Sequence, residues 1–490
     1  MKKILILVIF AAAALSGIAQ NENDALRYSR LSYGGTARFL GLGGAFGAVG
    51  ADFSTLSQNP AGLGLYRKSE FTITPQLNTT STEADFFGEK NSDNKYSFNL
   101  GNVGLVMNWN IGGNRESSIL KYLNFGFGMN RLANFNNRMI ISGFNNQSSL
   151  LTQYMYEANN DGNPLDYDHL NPFGSQLAYN TDVLVYDSAS QDYWIDAPEG
   201  GIDQRKTVES WGTVNEMVLS TGANFSDKLY LGATIGFPYI RYEEDSRLTE
   251  TDTKGNIDYF KSFTKHDHFE TRGTGVNFKA GIIYRPLDFL RIGFAVHTPT
   301  YYNDMTDEYY SEMTSEFDQA TGLSATSPNG SYNYKINTPM RLMGNVAFII
   351  GQSGLISADY EYLDYSTARL RNTSGADNDD FYYVNEAIRT KLAPAHNFRI
   401  GGEWRYEIVT LRGGFGYYGS PYVKDLNKND GSKKTLSCGI GIHDQGYFVD
   451  FAYTHAWMSD DYYLYDISLV PAASTAVQQN YFSVTLGFRY

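Results

Sequence analysis

Residues 482–490, FSVTLGFRY, end the chain with a strict alternation of large apolar side chains and small or polar ones. Successive side chains of a β-strand point to opposite faces, so this pattern predicts a strand with one apolar and one polar face. The same period of two recurs in segments such as 290–297, 397–406 and 447–457. We therefore predict an all-β protein built from many similar strands.

Fourteen segments follow this pattern, and we predict one antiparallel strand for each. They are residues 69–79, 96–110, 121–134, 211–226, 228–245, 258–285, 289–299, 331–350, 354–366, 396–407, 409–418, 434–443, 447–458 and 480–490. Segment 258–285 is long enough for one strand or for two. The connections alternate between short and long, and the longest covers residues 135–210. An even number of strands joined by alternating short turns and long loops is typical of a bacterial transmembrane barrel.

The composition favours a membrane barrel over a soluble sandwich. Aromatic residues make up 15% of the chain, Gly occurs 48 times, and no apolar run is long enough for a membrane-spanning helix. Aromatic residues stand at the ends of the apolar faces, as in an interfacial girdle, and include Trp109, Trp404, Tyr406 and Trp457. We therefore expect the apolar faces to meet lipid and the polar faces to line a lumen, with residues 69–490 forming the barrel.

The two ends of the chain indicate export. Residues 1–19 combine a basic start, a short apolar run and a small-residue end, which predicts a cleaved signal peptide. The only cysteine is Cys438, so neither a lipid anchor at the cleavage site nor an internal disulfide is expected. The final aromatic residue, Tyr490, resembles the signal recognised by the barrel-assembly machinery of Gram-negative bacteria. We expect a location in the outer membrane, among its lipid and lipopolysaccharide. A net charge of −14 argues against a nucleic-acid partner.

Residues 20–68 show no strand pattern and are rich in Gly and Ala, which allows close backbone packing in a confined space. Asn59 is predicted to cap a helix that begins at Pro60. A segment of this kind before a wide barrel predicts a plug, or hatch, inside the lumen. Taken together, the expected fold is a 14-stranded antiparallel transmembrane β-barrel with an N-terminal hatch.

Residues 34–63, GGTARFLGLGGAFGAVGADFSTLSQNPAGL, resemble the hatch signature of the outer-membrane long-chain fatty-acid transporter (FadL/TodX) family. The resemblance implies fourteen strands, a hatch, and passage of hydrophobic substrates through a lateral gap in the wall. By position it implies that Asn59, Pro60 and Ala61 are hatch residues and that Gly41, Gly43 and Gly44 form the close-packed turn before them.

In the family, a kink in the third strand opens the wall. Here that strand carries Gly126 and Gly128, which suit such a kink because Gly inside a strand often marks a bend. The alternative is that both glycines only make room in the lumen.

Charged residues at inward positions form the remaining candidate site. Asp359 and Glu361 on one predicted strand are expected to face Arg399 and Arg405 on the next, with Glu403 between them. These charges either bridge the lumen wall or form a polar ring that seals the lumen below a ligand pocket.

Enzymatic chemistry is not indicated. The run GLGGAFG follows no strand and opens no βαβ unit, so it does not predict a dinucleotide site, and no nucleophilic triad can be identified. His266 and His268 face one way on a strand, but the sequence shows no third ligand, and we expect no metal and no cofactor.

The function that fits best is passive uptake of hydrophobic small molecules, such as long-chain fatty acids, by a hatch-gated and lateral route. A second possibility is a secretion shuttle that binds exported proteins, as some similar barrels of Bacteroidetes do. A third is a general porin, which the hatch opposes.

Overall fold

The computed structural model describes residues 21–113, 118–160, 169–197, 201–318, 322–373, 381–444 and 446–490. The predicted signal peptide, residues 1–19, therefore lies outside the described residues. No helix in the described part of the chain is long and apolar enough to cross a bilayer.

Fourteen antiparallel strands form one closed sheet, as predicted. Four of them have two segments, because a short irregular stretch interrupts the strand. The strands are β1 (Glu70–Phe86), β2 (Glu89–Asn110), β3 (Leu120–Asn134 and Asn137–Asn145), β4 (Ile202–Phe225), β5 (Leu229–Thr251), β6 (Phe260–Leu287), β7 (Leu290–His297 and Tyr301–Phe317), β8 (Gly330–Asn337 and Arg341–Ile350), β9 (Gly354–Asp364 and Arg369–Asn372), β10 (Pro394–Tyr406), β11 (Val409–Tyr418), β12 (Lys433–His443), β13 (Tyr447–Tyr462) and β14 (Ala473–Arg489).

The first and last strands close the sheet into a barrel. β1 pairs with β14 from Glu70 opposite Arg489 to Asp85 opposite Ser474. Closure leaves no free edge at this seam, as a membrane barrel requires. The long segment for which the sequence left one or two strands open is the single strand β6.

Burial along the strands confirms the inverted arrangement. On β14, Phe482, Leu486 and Phe488 are exposed, whereas Ser483 and Thr485 are buried. The apolar side chains thus point outward and the polar ones point into a filled lumen. This is the reverse of a soluble sandwich, in which the apolar face would form the core.

The outer halves of several strands are longer than predicted. Segments 80–95 and 246–257, which we predicted as loops, consist largely of strand, and predicted loop 300–330 contains the second segment of β7. The predicted loop 135–210 likewise contains the second segment of β3 and the start of β4. These parts project beyond the apolar band, so their outward faces lose the apolar period while backbone pairing continues. Their inward apolar side chains, such as Ile141, Leu248 and Met313, are buried in a cluster with the outer loops.

The N-terminal segment and the outer loops supply the helices. The hatch contains α1 (Glu22–Ser29), α2 (Ala37–Gly41) and two 3₁₀ turns, Phe53–Ser57 and Pro60–Leu65; the outer loops contain α3 (Leu150–Asn160), α4 (Ser175–Asn180) and α5 (Tyr382–Lys391). The helices α3 and α4 form an outer cap with its own apolar core, in which Leu151 and Tyr154 share a cluster with Phe260 and Phe263 of the wall.

A buried carboxylate anchors this cap to the wall. Glu250 of β5 accepts hydrogen bonds from the Ser149 hydroxyl, from the Leu150 backbone N–H at 3.0 Å and from Gln204 Nε2 at 2.7 Å. Because Leu150 begins α3, the carboxylate also satisfies a backbone donor that the helix start would leave unpaired.

Candidate functional site

The glycine-rich part of the hatch lies directly against the inner wall. Gly43 and Gly44 adopt positive φ angles of 65° and 74°. A Cβ atom on Gly43 would stand 2.9 Å from the Phe415 backbone nitrogen, and one on Gly41 would touch Arg412 Cβ at 3.4 Å. A side chain at Gly43 would therefore collide with the wall in a backbone conformation that L-residues avoid. Gly41, Gly43 and Gly44 form a turn packed on the wall.

Asn59 has the capping geometry that the sequence predicts. Its Oδ1 accepts from the Ala61 backbone N–H at 3.2 Å, and Pro60 opens the helical turn, which is 3₁₀ rather than α. Its Nδ2 donates to the Gly47 carbonyl at 2.7 Å, which joins the two halves of the hatch. Asn59, Pro60 and Ala61 are all fully buried.

Two wall carboxylates lie at predicted positions. One binds the hatch backbone, and the other pairs with two arginines. Asp359 accepts from the backbone N–H groups of Phe46 and Gly47 at 2.9 and 3.0 Å. Glu361, two residues on, forms ion pairs with Arg399 at 2.8 Å and with Arg341 at 2.6 Å. All of these side chains are buried in the lumen.

A second ionic contact joins the hatch to the neighbouring strand β10. Glu403 of β10 accepts from Arg38 Nε and Nη2 at 2.8 and 2.9 Å, and from Arg412 Nε at 2.7 Å. Arg405 does not reach this network, because it lies at the exposed end of β10, next to the turn, and its Nε donates to the Glu407 carbonyl. Of the five predicted lumen charges, Asp359, Glu361 and Arg399 therefore lie in the first network and Glu403 lies in the second. Arg405 lies in neither.

The sequence missed several members of these networks. Arg341, Arg412 and Asp450 complete the ion pairs, and Lys279 pairs with Glu216 elsewhere in the lumen. All of them occupy inward positions of alternating strands. A charged residue at an inward position of any strand, and not only of β9 and β10, was the signal that could have found them.

The barrel wall is not continuous between β2 and β3. Their backbone pairing runs from Asn110 opposite Tyr122 to Asn102 opposite Asn130 and ends there. Beyond this point, the second segment of β3, Asn137–Asn145, pairs with β4 alone. We call the unpaired stretch between β2 residues 89–101 and β3 the wall break.

The glycines expected to kink β3 lie within the paired part, before the wall break. A Cβ atom on Gly126 would meet Leu56 at 2.5 Å, and one on Gly128 would meet Phe53 at 2.7 Å. Both partners are buried hatch side chains. A side chain at Gly126 would therefore meet the hatch, and one at Gly128 would meet both the hatch and the Val103 carbonyl oxygen of β2.

Hatch backbone takes the place of the missing strand neighbour. The Ser32 N–H donates to the Leu132 carbonyl at 2.7 Å, and the Gly34 N–H donates to the Arg131 carbonyl at 2.8 Å. On the other side, Arg131 Nε donates to the Leu100 carbonyl at 3.2 Å. Beside Leu100 the wall break is thus closed by the hatch and by one side chain, that of Arg131. Further out, Arg138 of β3 pairs with Asp93 of β2 at 3.1 Å, and Asn91 Nδ2 donates to Ser142 Oγ at 2.9 Å across the same gap.

Exposure of the outward side chains marks the same place. Phe98 and Tyr96 are 74% and 73% exposed, whereas Leu77, which lies opposite Phe98, and Phe482, which lies opposite Leu77, are 45% and 48% exposed. Phe98 therefore stands at the level of the apolar band but lacks a neighbouring strand to cover it. The wall break reaches the part of the barrel that faces hydrocarbon.

A cavity of about 700 Å³, counted with its open mouth, lies between the hatch and the wall beside this break. Gly34 and Arg131 line both the cavity and the wall break. Tyr33, Phe39 and Leu40 supply part of the mostly apolar lining. We call this space the hatch cavity.

Three cations line the hatch cavity, and no carboxylate is among its described lining residues. They are Arg131, Arg399 and Lys433. Arg399 is only 2% exposed, and its Nε and Nη2 atoms have no hydrogen-bond partner within the described part of the chain. The buried Tyr33 hydroxyl also lacks one. Unpaired buried donors of this kind are costly, and an anionic acceptor in the cavity would satisfy them.

The histidines singled out in the sequence lie outside this site, on the outer half of β6. His266 Nε2 and His268 Nδ1 both approach Asp245 Oδ1, at 3.1 and 3.0 Å. Among the described residues, no group of three or more metal-binding side chains is arranged to hold an ion.

Comparisons with known proteins connect this architecture to solved structures. No protein-family model and no curated protein matches the chain. The Pseudomonas putida toluene transporter TodX matches with a TM-score of 0.54 and 12% identity, over 93% of this chain and 99% of that one. A Pseudomonas aeruginosa FadL homologue matches with 0.53 and 14%, over 93% and 98%. The Ralstonia pickettii toluene transporter TbuX matches with 0.51 and 14%, over 93% and 98%.

These matches span nearly the whole of each chain, so they cover the hatch as well as the barrel. At such low identity they establish the fold and leave the ligand open. The resemblance first carried by residues 34–63 is therefore confirmed for the architecture: this chain has the fold of the FadL/TodX channels.

Proposed function

We propose that the chain is an outer-membrane channel for the passive uptake of hydrophobic small molecules, and that it is not an enzyme. The observation that carries this proposal is the hatch cavity, a mostly apolar space inside the barrel that borders the wall break. A molecule held there is shielded from water and lies beside an opening at the level of hydrocarbon. No cofactor or energy source is needed for such a path.

The cavity chemistry favours an amphipathic acid, such as a long-chain fatty acid, as the ligand. The apolar lining suits an alkyl chain, while the unpaired Nε and Nη2 donors of Arg399 suit a carboxylate. The structurally similar proteins TodX and TbuX are toluene transporters, and toluene is a neutral hydrocarbon. A neutral ligand here would leave the Arg399 donors unsatisfied.

We propose a lateral route from the cavity into the membrane. The hatch fills the lumen below, where Asp359 and Glu403 hold it, so a straight path would have to break buried ionic contacts. The wall break has no backbone pairing beyond Asn102, and beside the cavity the contacts to be released are the hydrogen bonds of Ser32, Gly34 and Arg131. A hydrophobic molecule leaving sideways also never enters water.

The proposed setting is the outer membrane of a Gram-negative bacterium. Export would use residues 1–19 as the signal peptide, and insertion would use the barrel-assembly machinery, which would recognise the strand ending at Tyr490. Residues 20–68 would serve as the hatch domain and residues 69–490 as the barrel, with lipopolysaccharide around its outer half.

Binding of dodecanoate and of its methyl ester to the purified protein in detergent tests the function. We expect both to bind, the acid more tightly. The variant Arg399→Met should weaken acid binding about tenfold or more, because a charge-assisted hydrogen bond contributes roughly 1.5–3 kcal/mol, and should leave ester binding unchanged. Arg371→Met, at an exposed position on the outer segment of β9, is the matched control.

Two results would redirect the proposal. Failure of both probes to bind, together with large ion conductance in planar bilayers, would indicate a general porin. Failure to bind, together with co-purification of exported proteins, would indicate a secretion shuttle.

A further inference from the structure

Arg131 occupies a singular position in the described structure, because it closes the wall break on both sides. Its backbone carbonyl accepts from the Gly34 N–H of the hatch at 2.8 Å, and its Nε donates to the Leu100 carbonyl of β2 at 3.2 Å. It is the first residue after the β2–β3 pairing ends at Asn130. One residue therefore joins the hatch, β2 and β3.

The guanidinium of Arg131 is held by a weak partner. Arg38, Arg399 and Arg412 each form an ion pair with a buried carboxylate. Arg131 forms no ion pair within the described residues, and the acceptor that its side chain finds there is the neutral carbonyl of Leu100. Hydrogen bonds between a guanidinium and an anion are about twice as strong as those to neutral acceptors. An anion that reaches Arg131 would therefore compete successfully with Leu100.

The hatch cavity brings an anion to that place. Arg131 lines the cavity together with Arg399 and Lys433, so the head group of an acidic ligand passes among three cations. The alkyl chain can remain against apolar lining while the head group exchanges one cation for another. No protein carboxylate among the described lining residues competes with the head group for these cations.

We propose that Arg131 is a charge-operated latch of the wall break. An anionic head group draws the guanidinium away from the Leu100 carbonyl, β2 and β3 separate, and the ligand leaves sideways. A neutral molecule of the same size offers Arg131 no stronger acceptor than the Leu100 carbonyl, so that hydrogen bond remains. This inference rests on the proposed function, and it assigns selectivity for acids to a positioning residue at the exit rather than to the pocket alone.

A merely structural role for Arg131 makes a different forecast. If the side chain only braces the wall, its removal would weaken the barrel and change the passage of acids and neutral molecules to the same extent. If it is a latch, its removal would change their ratio. The ratio is therefore the decisive readout, and folding is monitored separately by heat-modifiable migration in detergent gels.

The experiment compares uptake of labelled dodecanoate and methyl dodecanoate by Gram-negative cells that lack another channel of this fold. Arg131→Gln is expected to lower the acid-to-ester uptake ratio about tenfold, by the energy of one charge-assisted hydrogen bond, with ester uptake equal or higher. Arg131→Lys, which keeps the charge, should retain part of the preference. The matched control is Arg138→Gln on the same strand, which also removes a contact with β2, the ion pair with Asp93, but outside the lining of the hatch cavity, so it should leave the ratio unchanged.

The outcomes separate the latch from the proposed function. Equal loss of acid and ester uptake in Arg131→Gln, or an unchanged ratio, would overturn the latch while the channel function stands. Absence of uptake by the unaltered protein would overturn both.

A spectroscopic measurement keeps the proposal testable should Arg131→Gln not fold. Spin labels at Tyr96 and Arg138, introduced as cysteines together with Cys438→Ser, report the width of the wall break with Arg131 in place. Both labelled positions are exposed. Dodecanoate should lengthen the distance between the labels, and methyl dodecanoate should not. An identical distance with both probes would overturn the latch.

Discussion

Two seams of the same barrel are closed in different ways. Between β9 and β10, backbone pairing is unbroken from Gly354 opposite Trp404 to Asp364 opposite Pro394. Between β2 and β3 it stops at Asn102, and hatch backbone together with Arg131 takes over. The first seam is closed by its own backbone pairing, whereas the second also depends on the hatch.

This difference shows that the hatch has two tasks. Against β9 and β10 it is a plug, held by the buried charges Asp359 and Glu403. Against β3 it is part of the wall, because Ser32 and Gly34 occupy the place of a strand neighbour. Under the proposed lateral route, release of the Ser32 and Gly34 contacts opens the wall sideways while the paired seams stay intact.

The largest expected effect lies on the continuous side. Glu361→Ala removes the carboxylate between Arg341 and Arg399 and leaves two buried cations without their partner. Breaking a buried ionic contact typically costs about 3–5 kcal/mol, so thermal unfolding in detergent should shift to much lower temperature. Glu316→Ala, which removes an exposed pair with Lys261, is the control and should leave the unfolding temperature unchanged. Similar shifts in the two variants would show that the lumen charges do not hold the barrel.

A smaller effect is expected at the wall break. A Cβ atom on Gly34 would stand 2.9 Å from the Arg131 carbonyl oxygen, so Gly34→Ala should push the hatch away from β3. Around Gly344, on the outward face of β8, nothing lies within 4 Å, and Gly344→Ala is the matched control. We expect more frequent opening events in planar-bilayer recordings for Gly34→Ala only. Equal recordings would mean that hatch contact with β3 does not close the wall.

The smallest expected effect concerns the outer cap. Glu250 lies eleven residues beyond Tyr239, the last exposed aromatic of β5, which is roughly 35 Å along a strand and outside the membrane-spanning part. Burial raises the pKa of Glu250 to about 7, against weaker lowering by its hydrogen bonds. A carboxyl with a raised pKa favours the folded cap when protonated, so that contribution is lost as pH rises from about 4.5 through 7.

Hydrogen exchange of α3, corrected for intrinsic rates, measures this effect. Protection should fall between pH 5.5 and pH 8 in the unaltered protein and stay constant in Glu250→Gln, whose amide oxygen can still accept from Leu150 and Gln204 while its NH2 group donates to Ser149 Oγ. A pH profile shared by both proteins would show that another group controls the cap.

The barrel could be predicted from sequence because lipid imposes a simple pattern. Each membrane-crossing stretch must alternate, and β14 does so with Phe482, Leu486 and Phe488 outward. Outside the bilayer that constraint ends, so the polar extension of β1 and β2 and the second segment of β7 carry no such signal. The predicted loops there became strands for this reason.

The candidate site could be predicted only in part. The hatch motif was legible because positive φ at Gly43 and capping at Asn59 are local requirements of the backbone. The wall break was not, because the end of the β2–β3 ladder depends on where the hatch docks. Arg131 follows the alternation of the exposed residue Phe127, so its position in the sequence does not place it beside the lumen. Gly126 and Gly128, which the sequence singles out, lie within the paired part of β3 against the hatch.

Photo-crosslinking during uptake tests the central claim most directly. Cells expressing the channel receive a diazirine-labelled fatty acid, with or without excess dodecanoate, and labelled residues are mapped by mass spectrometry. A lateral route through the hatch cavity predicts labelling of Tyr33, Arg131 and Phe98 that dodecanoate suppresses, over a background at Phe398 and Ile400 that it does not. Suppressible labelling confined to the periplasmic side of the hatch, or none at Phe98 above background, would contradict that route.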